Sequence, residues 1–489
     1  MEEELKEELV VKKWWGENAA ELNKSPQNVV SDFVKWIKQA IVVSAIRSPD
    51  FNTTDNLIEL AELLELNNKE KIYSKINEIK DFHINIIKEK NLDSPKLIKE
   101  VKNFFDENLI KKIKNYLSED NKININKKND YSINNWDKTF SLIWFWEELS
   151  AFIQAKLINN LEKDWLEAEV VDLEWITDWL DSDIVIGLAK SITERVSLVL
   201  NDGKVPIISW YIPGFESWIE NVIWRWYTDA NAAMLSIWFS ESYKTTLEIQ
   251  KSVDWILSID PRILENWKAQ LIEQMDYLTA KEITWVRGSQ AKLLHSQVLR
   301  KELLKAWIDV KLFNPFGESK GTIISKNKNP NSNWVEYIWA RENVIFFSIS
   351  SWEMSDSGIL SSIFEVVKKY NISVDIVSTS ETEISFTIDD NVEEERLKSL
   401  SNDIRKKIGI RENDDINFVK YEKDKALIFC IWQNLKHSVW ALARATKVLQ
   451  EANINSVMVS QWSMERCIVF WIEEKDMKKA ANLLHKEFI

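Results

Sequence analysis

Lys12 closes the apolar run Leu9-Val10-Val11 and is followed by Lys13-Trp14-Trp15-Gly16, a short turn leading toward a helix. A lysine at a strand end can set a point charge on a phosphate, and the turn amides behind it can cradle the oxygens. Alone such a turn is a weak signal, and an ordinary strand-to-helix connection has the same look. Ile223-Trp224-Arg225-Trp226-Tyr227-Thr228-Asp229 is more specific. It presents an arginine fork suited to a carboxylate, just before Thr228-Asp229 opens a helix over 230–239. Lys251-Ser252 and Leu257 lead into Asp260-Pro261-Arg262, polar backbone with an arginine beside a proline-fixed turn. Glu147 follows Trp144-Phe145-Trp146 and offers a carboxylate to a substrate ammonium, or merely a first-turn partner for a helix dipole. Ser44 and Thr54 bound a segment at a strand end, where ligands bind in open α/β sheets; capping the next helix is the plainer use. Lys292 and His295 stand at a helix start after Gly288, the histidine reading as packed or capping rather than as a base.

The elements that must position these residues alternate. Strands are expected at 9–11, 41–44, 169–172, 205–208 and 308–312, with helices between them, which marks an α/β sheet. Residues 59–135 are rich in Lys, Asn, Ile and Glu at helical spacing and read as a helical insertion with solvated charged faces. The polar run 326–333 reads as a linker. Beyond it the order strand, helix, strand, strand, helix occurs twice, over 344–407 and 426–489, the ferredoxin-like plan. The expected domains are a catalytic α/β domain over 1–325 and two α+β units over 335–420 and 421–489.

Composition adds two constraints. The net charge of −14 gives no basic stripe for nucleic acid. No apolar run reaches membrane-helix length, and the acidic start Met1-Glu2-Glu3-Glu4 is no secretory leader, so a cytoplasmic protein without a membrane partner is expected. Cys430 and Cys467 lie in apolar strand-like runs and read as buried thiols. The second constraint is the count of 25 tryptophans and 9 glycines. Together they make 34, the glycine number expected at about 7% of 489 residues. The tryptophans also stand in turns where backbone chemistry calls for glycine. These positions are therefore expected to be glycine in the cell, as decoding of UGA as glycine would produce.

Taken in order, the segments resemble aspartate kinases of the amino-acid kinase family. The family patterns are Lys-Phe-Gly-Gly-Thr-Ser, Val-Val-Ser-Ala with Thr-Thr-Asp, Gly-Glu, Gly-Arg-Gly-Tyr-Thr-Asp, Val-Asp-Gly with Asp-Pro-Arg, and Ala-Lys-x-x-His. Every glycine missing from them is written as tryptophan here, at 14, 15, 146, 224, 226 and 255. Segment 370–381 resembles the first ACT unit of lysine-sensitive members. The resemblance implies transfer of the ATP γ-phosphoryl group to the side-chain carboxylate of L-aspartate, with Mg²⁺. A carboxylate is already deprotonated near pH 7, so positioning and positive charge suffice.

By the same resemblance Lys12 contacts the transferring phosphate and Asp229 orients Lys12 or the metal shell. Glu147 takes the aspartate ammonium, Arg225 its α-carboxylate, and Ser44 and Thr54 line the pocket. Lys12, Trp14, Trp15, Lys251, Ser252, Leu257, Arg262 and Lys292 match ATP-binding positions. Met354, Ser357, Ser373, Val374 and Asp375 match the effector site, for lysine or, second, threonine, and a homodimer through the ACT units is implied. The family's Phe is Lys13 here and its Thr-Ser is Gly16-Glu17, and an extra residue precedes Ala291-Lys292. If the tryptophans are real, indoles at 14, 15, 224 and 226 would fill the clefts, and a non-catalytic amino-acid sensor becomes the alternative, beside a kinase for another amino-acid carboxylate.

Overall fold

The computed structural model describes the chain except residues 1–5, 15–20, 22–23, 36, 47, 49, 52, 67, 91, 93, 111–112, 114–132, 162, 164, 172–183, 210–226, 252–255, 265–268, 286–302, 304–305, 318, 328–334, 390–391, 411–416, 436–437 and 462–465. It divides into two compact units, Met1–Trp255 with Leu294–Lys326, and Ile256–Leu293 with Asn327–Ile489.

In the first unit β1 (Glu8–Trp14) leads to α1 (Ser25–Phe33) and β2 (Lys38–Val43). Three helices follow, α2 (Thr53–Glu65), α3 (Lys69–Glu89) and α4 (Pro95–Phe104), which ends in a π-helical turn over Phe105–Ile110. Ile72, Ile76, Ile79 and Ile87 of α3 recur at helical spacing and are buried against Leu97, Val101 and Phe105, so the helical insertion has a core of its own. The long α5 (Ile133–Asn159) then returns to the sheet. β3 (Ala168–Val170), α6 (Ile184–Asn201), β4 (Val205–Ser209), α7 (Tyr227–Phe239) and β5 (Lys244–Gln250) complete the alternation.

The second unit's first piece holds β6 (Gln274–Asp276) and α8 (Tyr277–Trp285). The chain then re-enters the first unit for β7 (Asp309–Phe313) and β8 (Thr322–Ser325). Seven strands of the first unit lie in the order β3-β4-β2-β1-β5-β7-β8. All neighbours are parallel except the β7–β8 pair. The sequence of additions turns back at β1: β2 is laid on one side and β5 on the other. A crevice outside the carboxyl ends of β1 and β5 is where such a sheet takes ligands.

The ACT-like region begins with β9 (Tyr337–Ser350) and α9 (Ile359–Lys369), then β10 (Val377–Thr379), β11 (Glu383–Asp389) and α10 (Glu394–Lys407). β12 (Phe418–Ile431), α11 (Ala441–Glu451), β13 (Met458–Gln461), β14 (Cys467–Glu473) and α12 (Met477–Phe488) repeat the order. The six strands make one sheet, β10-β11-β9-β12-β14-β13.

Two long strands, β9 and β12, serve both lobes. Val344 to Ser350 pair with β11, and Phe418 to Glu422 close the same half. Tyr337 to Arg341 pair with Leu427 to Ile431, which also carry β14. Each half has its own core, around Phe347, Phe386 and Leu400 in one and Ile428, Phe470 and Leu484 in the other. At the joint Asn343 and Asp424 both adopt positive φ, at 59° and 56°, where the register slips. Asn and Asp tolerate that backbone better than other residues with a Cβ.

The structure corrects several expected elements. Lys13 and Trp14, expected in the turn after Lys12, belong to β1. Trp144 to Glu147 lie inside the helix α5, not after a turn. The strand that the apolar run 372–377 predicts lies further along, at Val377–Thr379.

Candidate functional site

Alternation along β1 decides which lysine faces which layer. Lys12 and Trp14 point to the α1 side. The Lys12 ammonium lies 2.7 Å from the Asp32 carboxylate and 3.1 Å from the carbonyl of Asn28, almost wholly buried. Burial alone would raise Asp32, but the charge and hydrogen bond of Lys12 outweigh it and hold that carboxyl below its ordinary range. Trp14 packs against Val29, Val43, Ala151 and Ala155 in the core.

Lys13 points to the opposite face. Its ammonium lies 2.7 Å from Asp229 in the first turn of α7, and both side chains are buried. The expectation that Asp229 orients Lys12 is therefore corrected: Asp229 meets Lys13, and Lys12 is engaged by Asp32 on the other side of the sheet. A family pattern read one residue further along, with Lys13 for its lysine and Trp14 for its Phe, fits this geometry.

Lys251, the residue after β5, joins the group. Burial lowers its ammonium to about 7, with Lys13 acting in the same direction and Asp229 opposing. Lys13, Asp229 and Lys251 thus form a buried cluster of two amines and one carboxylate at the carboxyl ends of β1 and β5. Such a cluster accepts an anion well, because an incoming phosphate supplies the charge that two crowded amines need.

The other expected residues distribute as follows. Ser44 follows β2 directly, half-buried, and its backbone N–H donates to the carbonyl of Trp14 at 3.1 Å, so it sits at the same sheet end. Glu147 is buried on α5, one turn before Ala151, in the stripe that packs against Trp14. Thr54 lies in the first turn of α2, where the neighbouring Thr53 hydroxyl donates to the Ile46 carbonyl. Trp15, Arg225, Ser252 and Lys292 lie outside the described residues.

Leu257 and Arg262 lie in the second unit. Leu257 bridges to Leu271, and the Arg262 Nε donates to Asp260 at 2.9 Å. In the first ACT lobe Met354 is buried, Ser357 and Ser373 are exposed, and Val374 is half-buried. Asp375, expected to await a cationic effector, instead pairs with Arg341 at 2.7 Å. Cys430 and Cys467 are both buried, and burial pushes the Cys430 thiol up to about 12. Cys430 shares the helix-side core with Ile468, so the adjacent Cys467 points to the other face.

Residues 352–403 and 433–488 match the ACT domain family. Over 98% of its length the chain superposes on aspartate kinase from Clostridium acetobutylicum, covering all of that chain, with a TM-score of 0.71 at 18% identity. This is the fold of the aspartate kinases. E. coli aspartokinase III, solved in complex with aspartate and ADP, matches 98% of the chain and 99% of its own, with a TM-score of 0.63 at 20% identity. The same enzyme in complex with lysine and aspartate gives 0.63 at 19%. The chloroplastic aspartokinase 1 of Arabidopsis thaliana is 26% identical over 92% of this chain and 74% of its own length. The aspartate kinase fold thus extends from β1 through both ACT lobes, and the Lys13–Asp229–Lys251 cluster lies within it. Among the described residues no helix is long and apolar enough to cross a membrane.

Proposed function

We propose that the chain is an ATP-dependent aspartate kinase, forming 4-phospho-L-aspartate, with its ACT lobes regulating activity. The observation that carries the reading is the buried Lys13–Asp229 pair beside Lys251, at the sheet end where α/β folds take ligands. Lys13 contacts the transferring phosphoryl group, Asp229 holds that ammonium in place, and Lys251 adds the second positive charge. The aspartate side-chain carboxylate attacks without a base, since it is ionised near pH 7. Glu147 binds the aspartate ammonium, Arg225 its α-carboxylate, and Ser44 and Thr54 border that subsite. Leu257, Arg262, Ser252 and Lys292 contact the nucleotide.

Mg²⁺ is held mostly by substrate phosphates and one or two carboxylates, and Asp229 is a carboxylate suited to that share. When bound, the ion neutralises charge on the phosphates. The effector is lysine, with threonine second, and the short edge strands β10 and β13 are where a second copy would add in a homodimer. Trp14 faces the core rather than the Lys13 side, which removes one reason for a non-catalytic sensor.

The test separates the two lysines. In a coupled assay of ATP turnover with aspartate, Lys13→Met should lower kcat by about a hundredfold or more in the fraction that melting curves show folded, although it also takes this ammonium from the buried Asp229. Lys12→Met should chiefly lower stability and leave kcat nearly unchanged, because it removes the buried ammonium paired with the half-buried Asp32 carboxylate. If the losses are reversed, Lys12 is the phosphate contact. If neither variant nor wild type turns over ATP with aspartate, the kinase reading fails.

A further inference from the structure

The Arg341–Asp375 pair occupies the place where an effector's cationic side chain was expected. Asp375 sits in the extended segment before β10. Its backbone N–H donates to the Thr387 carbonyl at 3.0 Å, and Thr387 N–H returns a bond to Ile376. The carboxylate is therefore carried on pinned backbone. Arg341 reaches it from the other lobe, since it pairs with Leu427 in the half of β9 that builds the second ACT core. Arg341 is 7% exposed and Asp375 11%, so the bond is shielded from solvent screening.

β9 carries the contact further. Three residues before Arg341, the N–H of Ile338 donates to the carbonyl of Ser258 at 2.8 Å. The Ser258 hydroxyl lies 2.9 Å from Nε2 of His485 on α12, and Ile259 is buried in the same core. Ser258 stands between Leu257 and Arg262, two of the proposed nucleotide contacts. On the far side of Arg341, Asn343 and Asp424 place paired left-handed residues at the lobe joint, a natural point for the strands to bend.

We propose that Arg341 is the resident occupant of the effector subsite. Its guanidinium holds Asp375 until the cationic side chain of an amino-acid effector replaces it, and this exchange couples effector binding to the strand that carries the nucleotide-side segment. The inference rests on the effector reading given above. A guanidinium displaced from a buried partner is costly to leave in place. β9 therefore has two arrangements, one with Arg341 on Asp375 and one with it turned away, and the effector selects the second. Arg341 also sets selectivity. An amino acid without a cationic side chain leaves the pair intact and has no lever on the strand.

The experiment is titration calorimetry of the full chain with lysine, paired with activity at saturating lysine. Wild type is compared with Arg341→Met and Arg341→Lys, with melting curves to establish that each folds. Arg341→Met should bind lysine more tightly by about ten- to hundredfold, while bound lysine no longer inhibits. Arg341→Lys retains the charge with a single donor and should fall between the two. Binding by Arg341→Met where wild type shows none would support the exchange as well. Unchanged or weaker binding in both variants, or tighter binding that still inhibits as in wild type, overturns the proposal and leaves the effector site standing. If neither wild type nor any variant binds lysine, the effector reading itself falls, and the proposal with it.

Discussion

At the scale of single residues, the neighbours of Lys251 set a pH dependence. Its ammonium is lowered from 10.5 to about 7 by burial, with Lys13 opposing the charged form and Asp229 favouring it. Between these two values the unfolded chain binds more protons at this site than the folded one. The lysine's contribution to stability therefore rises as pH climbs from about 7, and below that its full penalty is present. A bound polyphosphate reverses the preference. At pH 8 ATP binding should take up protons, and its affinity should fall as pH rises further. Calorimetry in two buffers of different ionisation enthalpy checks this, and identical observed enthalpies would contradict it. Three tryptophans sit uneasily at the same scale. Trp307 adopts φ 54°, a conformation that costs a residue with a Cβ about 1–2 kcal/mol and that glycine takes freely. The buried Nε1 atoms of Trp14 and Trp471 have no hydrogen-bond acceptor among the described residues. Each such orphan costs about 1–3 kcal/mol.

Elements explain why some of this was legible in the sequence and some was not. The α/β alternation and the doubled ACT plan follow from apolar periodicity, so β2, β4, β7, β14 and the helices between them fall close to where that pattern puts them. The site at the end of β1 did not. Two adjacent lysines point to opposite faces of a strand, and a one-residue slip exchanges them. Nothing in Lys12-Lys13 says which faces α7; only the position of Asp229 in three dimensions does. Reading glycine at Trp144 and Trp146 puts Glu147 after a turn, whereas α5 runs through it. The Arg341–Asp375 bond joins residues 34 apart through β9 and left no local trace. One connection depends on its glycine. Gly321 turns β7 into β8 at φ +75°, and a Cβ there would lie 2.1 Å from the Leu312 carbonyl oxygen. Gly321→Ala should cost about 3 kcal/mol, seen as a lower urea midpoint with an unchanged slope. An unaltered midpoint would mean the turn relaxes freely.

For the molecule as a whole, 25 tryptophans and 9 glycines make the intact mass a direct test of what the cell builds. The sequence as written weighs 57.5 kDa. Protein from its native host should weigh well below that, with peptides carrying glycine at Trp226 and Trp307. A measured mass equal to the written one would establish the indoles as real. The joint in the ACT sheet has a different kind of consequence. Val344 and Lys425 stand opposite each other, so the chain enters and leaves the first lobe at adjacent points. Topologically that lobe is a cassette plugged into a hairpin. Removing it leaves a gap that a two-residue loop spans, and exchanging it for another of the same plan moves no other strand. Lineages could therefore have traded one effector specificity for another at this seam, by gene splicing between Asn343 and Asp424, while the chemistry at the end of β1 stayed as it was.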